Sequence, residues 1–224
     1  MNVSFKWPAI LAASCVLLTG CTSSITQKEQ YSGFLPYYDN LTKVTSPSGA
    51  TALRWVSPSF NSGAYSTVVF NGLELYPAPK PNERINMQTW QELQAYSSAT
   101  AQGALSKHYR VVPTVGAIPP GSRTLIMRAA ITEVSASNVG MKWYEIVPIA
   151  AVNAGAGVAL GYRDQNAELY IEAELVDAQT KQSVAKAVRK VVGATLQNDT
   201  QVITSNDFKA SIKALGDDLQ VLLK

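Results

Sequence analysis

Two periods of apolar spacing alternate along this chain of 224 residues. Alternation at period two predicts strands, and three- and four-residue steps predict helices. "TALRWVSP" and "YSTVVFNGLELYP" read as the first two strands, the second rich in β-branched residues and ending at Pro77. "PAPKPN" is a loop, with three prolines between Pro77 and Pro81. A helix follows from about Ile85 to Lys107, with Trp90, Leu93, Ser97, Ala101, Ala104, Leu105 and His108 along one narrow face. Its many small residues suit a helix lying close on a sheet. "YRVVP" is a short strand and "IPPGS" a turn. In "RTLIMRAAITEVSAS", Leu125, Met127, Ala129 and Ile131 point one way, and Thr124, Ile126, Arg128, Ala130 and Thr132 the other.

The stretch "NAELYIEAELVDAQTKQSVAKAVRKVVGA" reads as a hairpin. Leu169, Ile171, Ala173 and Leu175 form its apolar face, and Glu168, Tyr170, Glu172 and Glu174 its outer face. The last helix runs from about Asp207 to Leu223, with Phe208, Ile212, Leu215, Leu219 and Leu222 at helical steps. Thr204 with Asp207 matches a capping box in which Asp stands for Glu. The expected fold is α+β: a two-layer domain, mainly antiparallel β-sheet, with two amphipathic helices packed on it.

The first residues form a different pattern. Lys6 and the free amino terminus precede an uncharged, mostly apolar run from Trp7 to Leu18. That is the layout of a secretory signal peptide, too short for an ordinary spanning helix. Leu18-Thr19-Gly20-Cys21 resembles the lipobox of bacterial lipoproteins. The resemblance implies diacylglycerol on the Cys21 thiol, cleavage before Cys21, and an acyl chain on its new amino group. An ordinary cleaved leader with an incidental Cys is the alternative, but charge, apolar run, box and distance from Met1 all favour the lipobox. Thr22 and Ser23 follow, so the Asp that retains enteric-type lipoproteins in the inner membrane is absent. The resemblance therefore implies outer-membrane delivery, with the domain facing the periplasm. The expected organisation is a lipoprotein signal peptide over 1–20, a lipidated Cys and polar tether over 21–30, and one globular domain over 31–224.

Composition agrees with that picture. The chain has 2 cysteines, Cys15 in the leader and Cys21 at the box, so the domain must fold on its core alone. Without Lys6, 18 basic residues face 16 acidic ones, a balance that offers no electrostatic footprint for nucleic acid.

Immediately after the tether stands "YSGFLPYYDNL", with four aromatic residues in eleven. It resembles the opening of a widespread set of uncharacterised bacterial lipoproteins, catalogued as a domain of unknown function. Its members begin "SGFL-x-x-Y-x-x-L" shortly after the lipobox. Ser32, Gly33, Phe34, Leu35, Tyr38 and Leu41 fit that pattern. "VVPTVGAIPPGSRTLIMRAAITEV" and "AELYIEAELVDAQTKQSVA" are similar to two further blocks of the family. This chain departs from it at Tyr37, where members often carry Asp, and at Lys181, where they often carry Gly. The family implies topology and location but no activity.

No constellation for catalysis stands out. His108 is the only histidine, and a zinc site needs several ligands together. No serine lies in a G-x-S-x-G elbow. The acidic cluster Glu168, Glu172, Glu174 and Asp177 leaves a carboxylate pair for acid–base work as the alternative, but it is read as a solvated strand face, paired with Lys186, Arg189 or Lys190, and with Arg128 if its strand is adjacent. The chain is therefore expected to be no enzyme and to carry no cofactor besides the lipid on Cys21. Its expected partners are the membrane, the lipoprotein processing and sorting machinery, and an envelope protein. Phe34, Leu35, Tyr38 and Leu41 are expected to act as a clasp that ends the tether, with partner docking as the alternative. Residues 146–162, seventeen uncharged residues rich in Gly and Ala, leave two readings open. One is a connector between strands; the other is a membrane-inserting or oligomerising element of a secretion or assembly accessory.

Overall fold

The structure, a computed structural model, describes residues 25–138 and 164–223. In chain order these form β1 (Thr42–Thr45), β2 (Thr51–Val56), β3 (Thr67–Val69), β4 (Glu74–Leu75), α1 (Met87–Leu105), β5 (Arg110–Val112), β6 (Thr124–Asn138), β7 (Gln165–Asp177), β8 (Ser183–Leu196) and α2 (Lys209–Leu222). One sheet runs β1-β2-β8-β7-β6-β3-β5. The pairings from β1 to β6 are antiparallel, and β3 joins β6 and β5 in parallel. Both helices pack on one face, so the fold is α+β and mainly antiparallel. Trp90, Leu93 and Leu105 of α1 and Ile212 of α2 meet Leu125, Ile131, Leu169, Ile171 and Leu175 of the sheet in one buried cluster.

One expected strand is divided. "YSTVVFNGLELYP" yields β3 and β4, both parallel to β6 but paired with different parts of it. The break falls at Gly72, whose φ of 90° a strand residue with a side chain would rarely adopt. The alternation read along β6 holds as far as Ile131. A register shift between Ile131 and Glu133 then passes the core positions to Val134 and Ala136. α1 begins as its cap directs, with Asn86 Oδ1 accepting from Thr89 N at 2.8 Å, whereas the Thr204–Asp207 box, in which Asp207 Oδ2 accepts from Thr204 N at 2.7 Å, caps a 3-10 turn over Ser205–Phe208 that leads into α2.

The β7–β8 turn is built by Asp177, whose Oδ1 accepts from the amides of Gln179 at 2.8 Å and Thr180 at 3.0 Å. Lys181 sits in this turn at φ 61°, in the left-handed region that favours glycine. Lys181→Gly is expected to raise the unfolding free energy by up to about 1 kcal/mol, read by urea denaturation, because it relieves left-handed strain.

Candidate functional site

Alternation on β7 sends Leu169, Ile171 and Leu175 toward the helices and Glu168, Tyr170, Glu172 and Glu174 to the opposite face. The solvated face expected from sequence is a correction: Glu168 and Glu172 are each 1% exposed and Glu174 is 4% exposed. A neighbouring element covers them. Residues 25–41 cross this face as a strap, and buried glutamates are tolerable only because the strap and the adjacent strands supply partners.

The strap's local conformation follows from its residues. Gly33 takes φ 84°, which turns the chain and aims its N–H at Tyr38 Oη, 2.8 Å away. Ser32 Oγ accepts the Phe34 N–H at 3.0 Å. Tyr31 and Tyr38 stack with ring centroids 4.3 Å apart. Phe34 and Leu35 are buried against Ala130 of β6 and Val188 of β8, with Tyr38 and Leu41 half-buried around them. Arg128 lies over the Phe34 ring at 5.1 Å and reaches Glu174 at 3.5 Å.

Glu172 ties the strap to the sheet. Its Oε1 accepts from Ser32 N at 2.9 Å, and its Oε2 accepts from Tyr38 Oη at 2.6 Å. Lys186 Nζ donates to the carbonyls of Tyr37 at 3.2 Å and Asp39 at 3.3 Å. It also stands 4.0 Å from the Tyr37 ring centroid and 5.1 Å from that of Trp55. Burial pulls the Lys186 ammonium below its ordinary pKa, against the opposing charges of Asp39 and Glu174. Burial also pushes the Tyr38 hydroxyl up, helped by its bond to Glu172, so it remains a donor at neutral pH.

A second knot lies beside it. Lys190 meets Glu168 at 2.6 Å, while Tyr170 Oη and Ser137 Oγ donate to the same carboxylate. Gln30 Nε2 donates to Tyr170 Oη at 2.9 Å. Contacts with the domain therefore begin upstream of Tyr31, within the stretch read as tether. Burial, with Glu168 next to it, pushes the Tyr170 hydroxyl far above its ordinary pKa. Chemically this is a network of engaged donors and acceptors that holds a segment in place.

Of the partners expected for the glutamates, Lys190 pairs with Glu168 and Arg128 with Glu174. Arg189 does not, because it stands on the other face of β8 and pairs with Asp218 of α2 at 2.6 Å. That buried pair was missed from sequence. Asp218 lies three residues after Leu215 and four before Leu222, inside the apolar stripe of α2, which is the signal that could have found it. His108 is exposed just beyond α1, its ring steeply inclined to that of Tyr109 with centroids 6.4 Å apart. Cys21 and the segment 146–162 lie outside the described residues. The strand ends that flank that segment are joined: Asn138 and Gln165 are register partners, with Gln165 Nε2 donating to Asn138 Oδ1 at 2.7 Å.

Strap residues 30–41 and the hairpin below them fall within the stretch, residues 30–219, that matches the family described as "Protein of unknown function (DUF3313)". The chain belongs to this family. It is also 38% identical over 212 residues to "Uncharacterized lipoprotein YdcL" of Escherichia coli K12, a match covering 94% of this chain and 93% of the relative. Among solved structures, a PelC dodecamer from Paraburkholderia phytofirmans is similar at TM-score 0.37 and 13% identity, over 75% of this chain and 96% of that one. A lipoprotein from Neisseria meningitidis is similar at TM-score 0.33 and 15% identity, over 71% of this chain and 99% of that one.

Proposed function

We propose that this DUF3313 chain is an outer-membrane lipoprotein with a binding or scaffolding role in the bacterial envelope. Cys21 carries a diacylglycerol on sulfur and an acyl chain on nitrogen, and the domain faces the periplasm. The observation that carries the reading is the relative already described as a lipoprotein, aligned over 94% of this chain. The box Leu18-Thr19-Gly20-Cys21 supports the attachment point, and Thr22 in place of Asp supports delivery to the outer membrane. Several acyl chains on one residue anchor firmly, because each buried methylene contributes about 0.8 kcal/mol.

Within that role the strap is a clasp. It holds the start of the fold against the sheet a few residues after the anchor, so the domain stays near the membrane surface. In cells fed labelled palmitate, the wild-type chain should take up label and sediment with outer-membrane fractions. Cys21→Ser should lose the label and leave those fractions. An unlabelled wild-type chain would overturn the attachment, and label in inner-membrane fractions would overturn the destination.

A further inference from the structure

The helix face of the sheet carries a row of small residues. Strand register sets Ala129 of β6 beside Ala173 of β7, Ala173 beside Ala187 of β8, and Ala187 beside Arg54 of β2. Two residues along the same strands, the neighbours of this row are larger: Met127 and Ile131 on β6, and Ile171 and Leu175 on β7. The Ala129 and Ala173 methyls, flanked by these side chains, and the Ala187 methyl, with Arg189 on one side of it, leave a trough that runs across the strands. α2 roofs it with Ile212, Leu215 and Leu219, and the result is a cavity of about 460 Å³. Protein interiors otherwise pack with few voids larger than a water molecule. Small-molecule sites span roughly 300–1,000 Å³ and are mostly apolar with a few placed polar groups.

Two cations stand in its wall, in different states. Arg189 is bound to Asp218 at 2.6 Å and is spent on that contact. Arg54 is half-buried at the end of the alanine row, next to the edge strand β1. Among the described residues, no carboxylate lies within ion-pair distance of Arg54. An apolar trough one residue wide, ending at a cation that meets no carboxylate among the described residues, matches a molecule with a single aliphatic chain and one anionic end.

We propose that this cavity binds a long-chain fatty acid, its chain in the alanine trough under α2 and its carboxylate on Arg54. The site is on the opposite face of the sheet from the strap and does not depend on the lipid anchor. It thus goes beyond the envelope role and can fail while that role stands.

The test uses the full chain carrying Cys21→Ser, so that no covalent acyl chain competes, with cis-parinaric acid as fluorescent probe. The fluorescence should rise saturably, and palmitate should displace the probe. Hexadecanol, of equal chain length but uncharged, should compete roughly tenfold less well, the loss of a hydrogen bond to a charged group. Arg54→Gln should bring palmitate down to the level of the alcohol. Ala173→Leu, which fills the trough, should weaken both by roughly tenfold or more while unfolding as the parent does. Absent saturation, equal competition by palmitate and hexadecanol, or parental binding by a folded Ala173→Leu would each overturn the proposal. Should Ala173→Leu fail to fold, Arg54→Gln decides, and unchanged palmitate affinity there overturns it.

Discussion

Phe34→Ala should lower the unfolding free energy by about 3 kcal/mol, the lower end of the usual cost of truncating a buried phenylalanine. The Phe34 ring packs against Ala130 and Val188, meets the Tyr76 ring edge-on at 5.7 Å, and lies under Arg128. Its loss loosens the strap where Glu172 depends on it, since that carboxylate takes hydrogen bonds from Ser32 N and Tyr38 Oη. A buried carboxylate stripped of partners is costly, so packing and polar terms act together. Urea denaturation checks the figure. Unchanged stability with loss of an envelope partner would mean that Phe34 is a docking residue and not part of a clasp.

Asp218→Ala should cost about as much or more, roughly 3–5 kcal/mol, because it leaves a buried guanidinium uncompensated. The side chains of Arg189 and Asp218 are 9% and 6% exposed. Ser48 adds its N–H at 2.9 Å and its hydroxyl at 2.7 Å to the same carboxylate, which fastens the β1–β2 turn to α2. Replacing both partners, Arg189→Met with Asp218→Leu, should recover much of the loss, since no charge is then stranded.

The same carboxylate gives a pH dependence. Burial pushes Asp218 up, but the hydrogen bonds from Ser48 and Arg189 outweigh it and hold the group below its ordinary 3.8. A depressed folded pKa contributes stability above the unfolded value, and that contribution is lost as pH falls through the folded one. Stability should therefore decline below about pH 4, and Asp218→Asn should flatten part of that decline. Asp177 is also held low: its bonds from Thr180, Tyr65 and Gln179 outweigh burial, so some acid sensitivity should persist in the variant.

The two-layer fold was legible because its signals are local. The period of β7, the stripe Phe208-Ile212-Leu215-Leu219 and the Thr204–Asp207 cap each report on a few neighbouring residues. The left-handed turn position at Lys181 was legible through the resemblance. The burial of the glutamates was not. Alternation says that Glu168, Tyr170, Glu172 and Glu174 share a face, but not that a segment more than a hundred residues earlier covers it. Both halves were visible separately, four aromatics in one stretch and four acceptor or donor groups in another. Only the fold places Tyr38 on Glu172. The alanine row was hidden for the same reason, since Ala129, Ala173 and Ala187 become neighbours only through strand register. Arg189 shows the limit of pairing by proximity in sequence, because one residue of offset along β8 puts it on the helix face.

Amide hydrogen exchange on the wild-type chain tests most directly whether residues 25–41 are part of the folded domain. The amides of Ser32, Gly33 and Phe34 are held by Glu172, Tyr38 and Ser32 Oγ respectively. Their exchange should be slowed by orders of magnitude relative to an unstructured peptide, approaching the rates of β7 and β8. Exchange at peptide rates, while the central strands remain protected, would contradict the strap as a clasp.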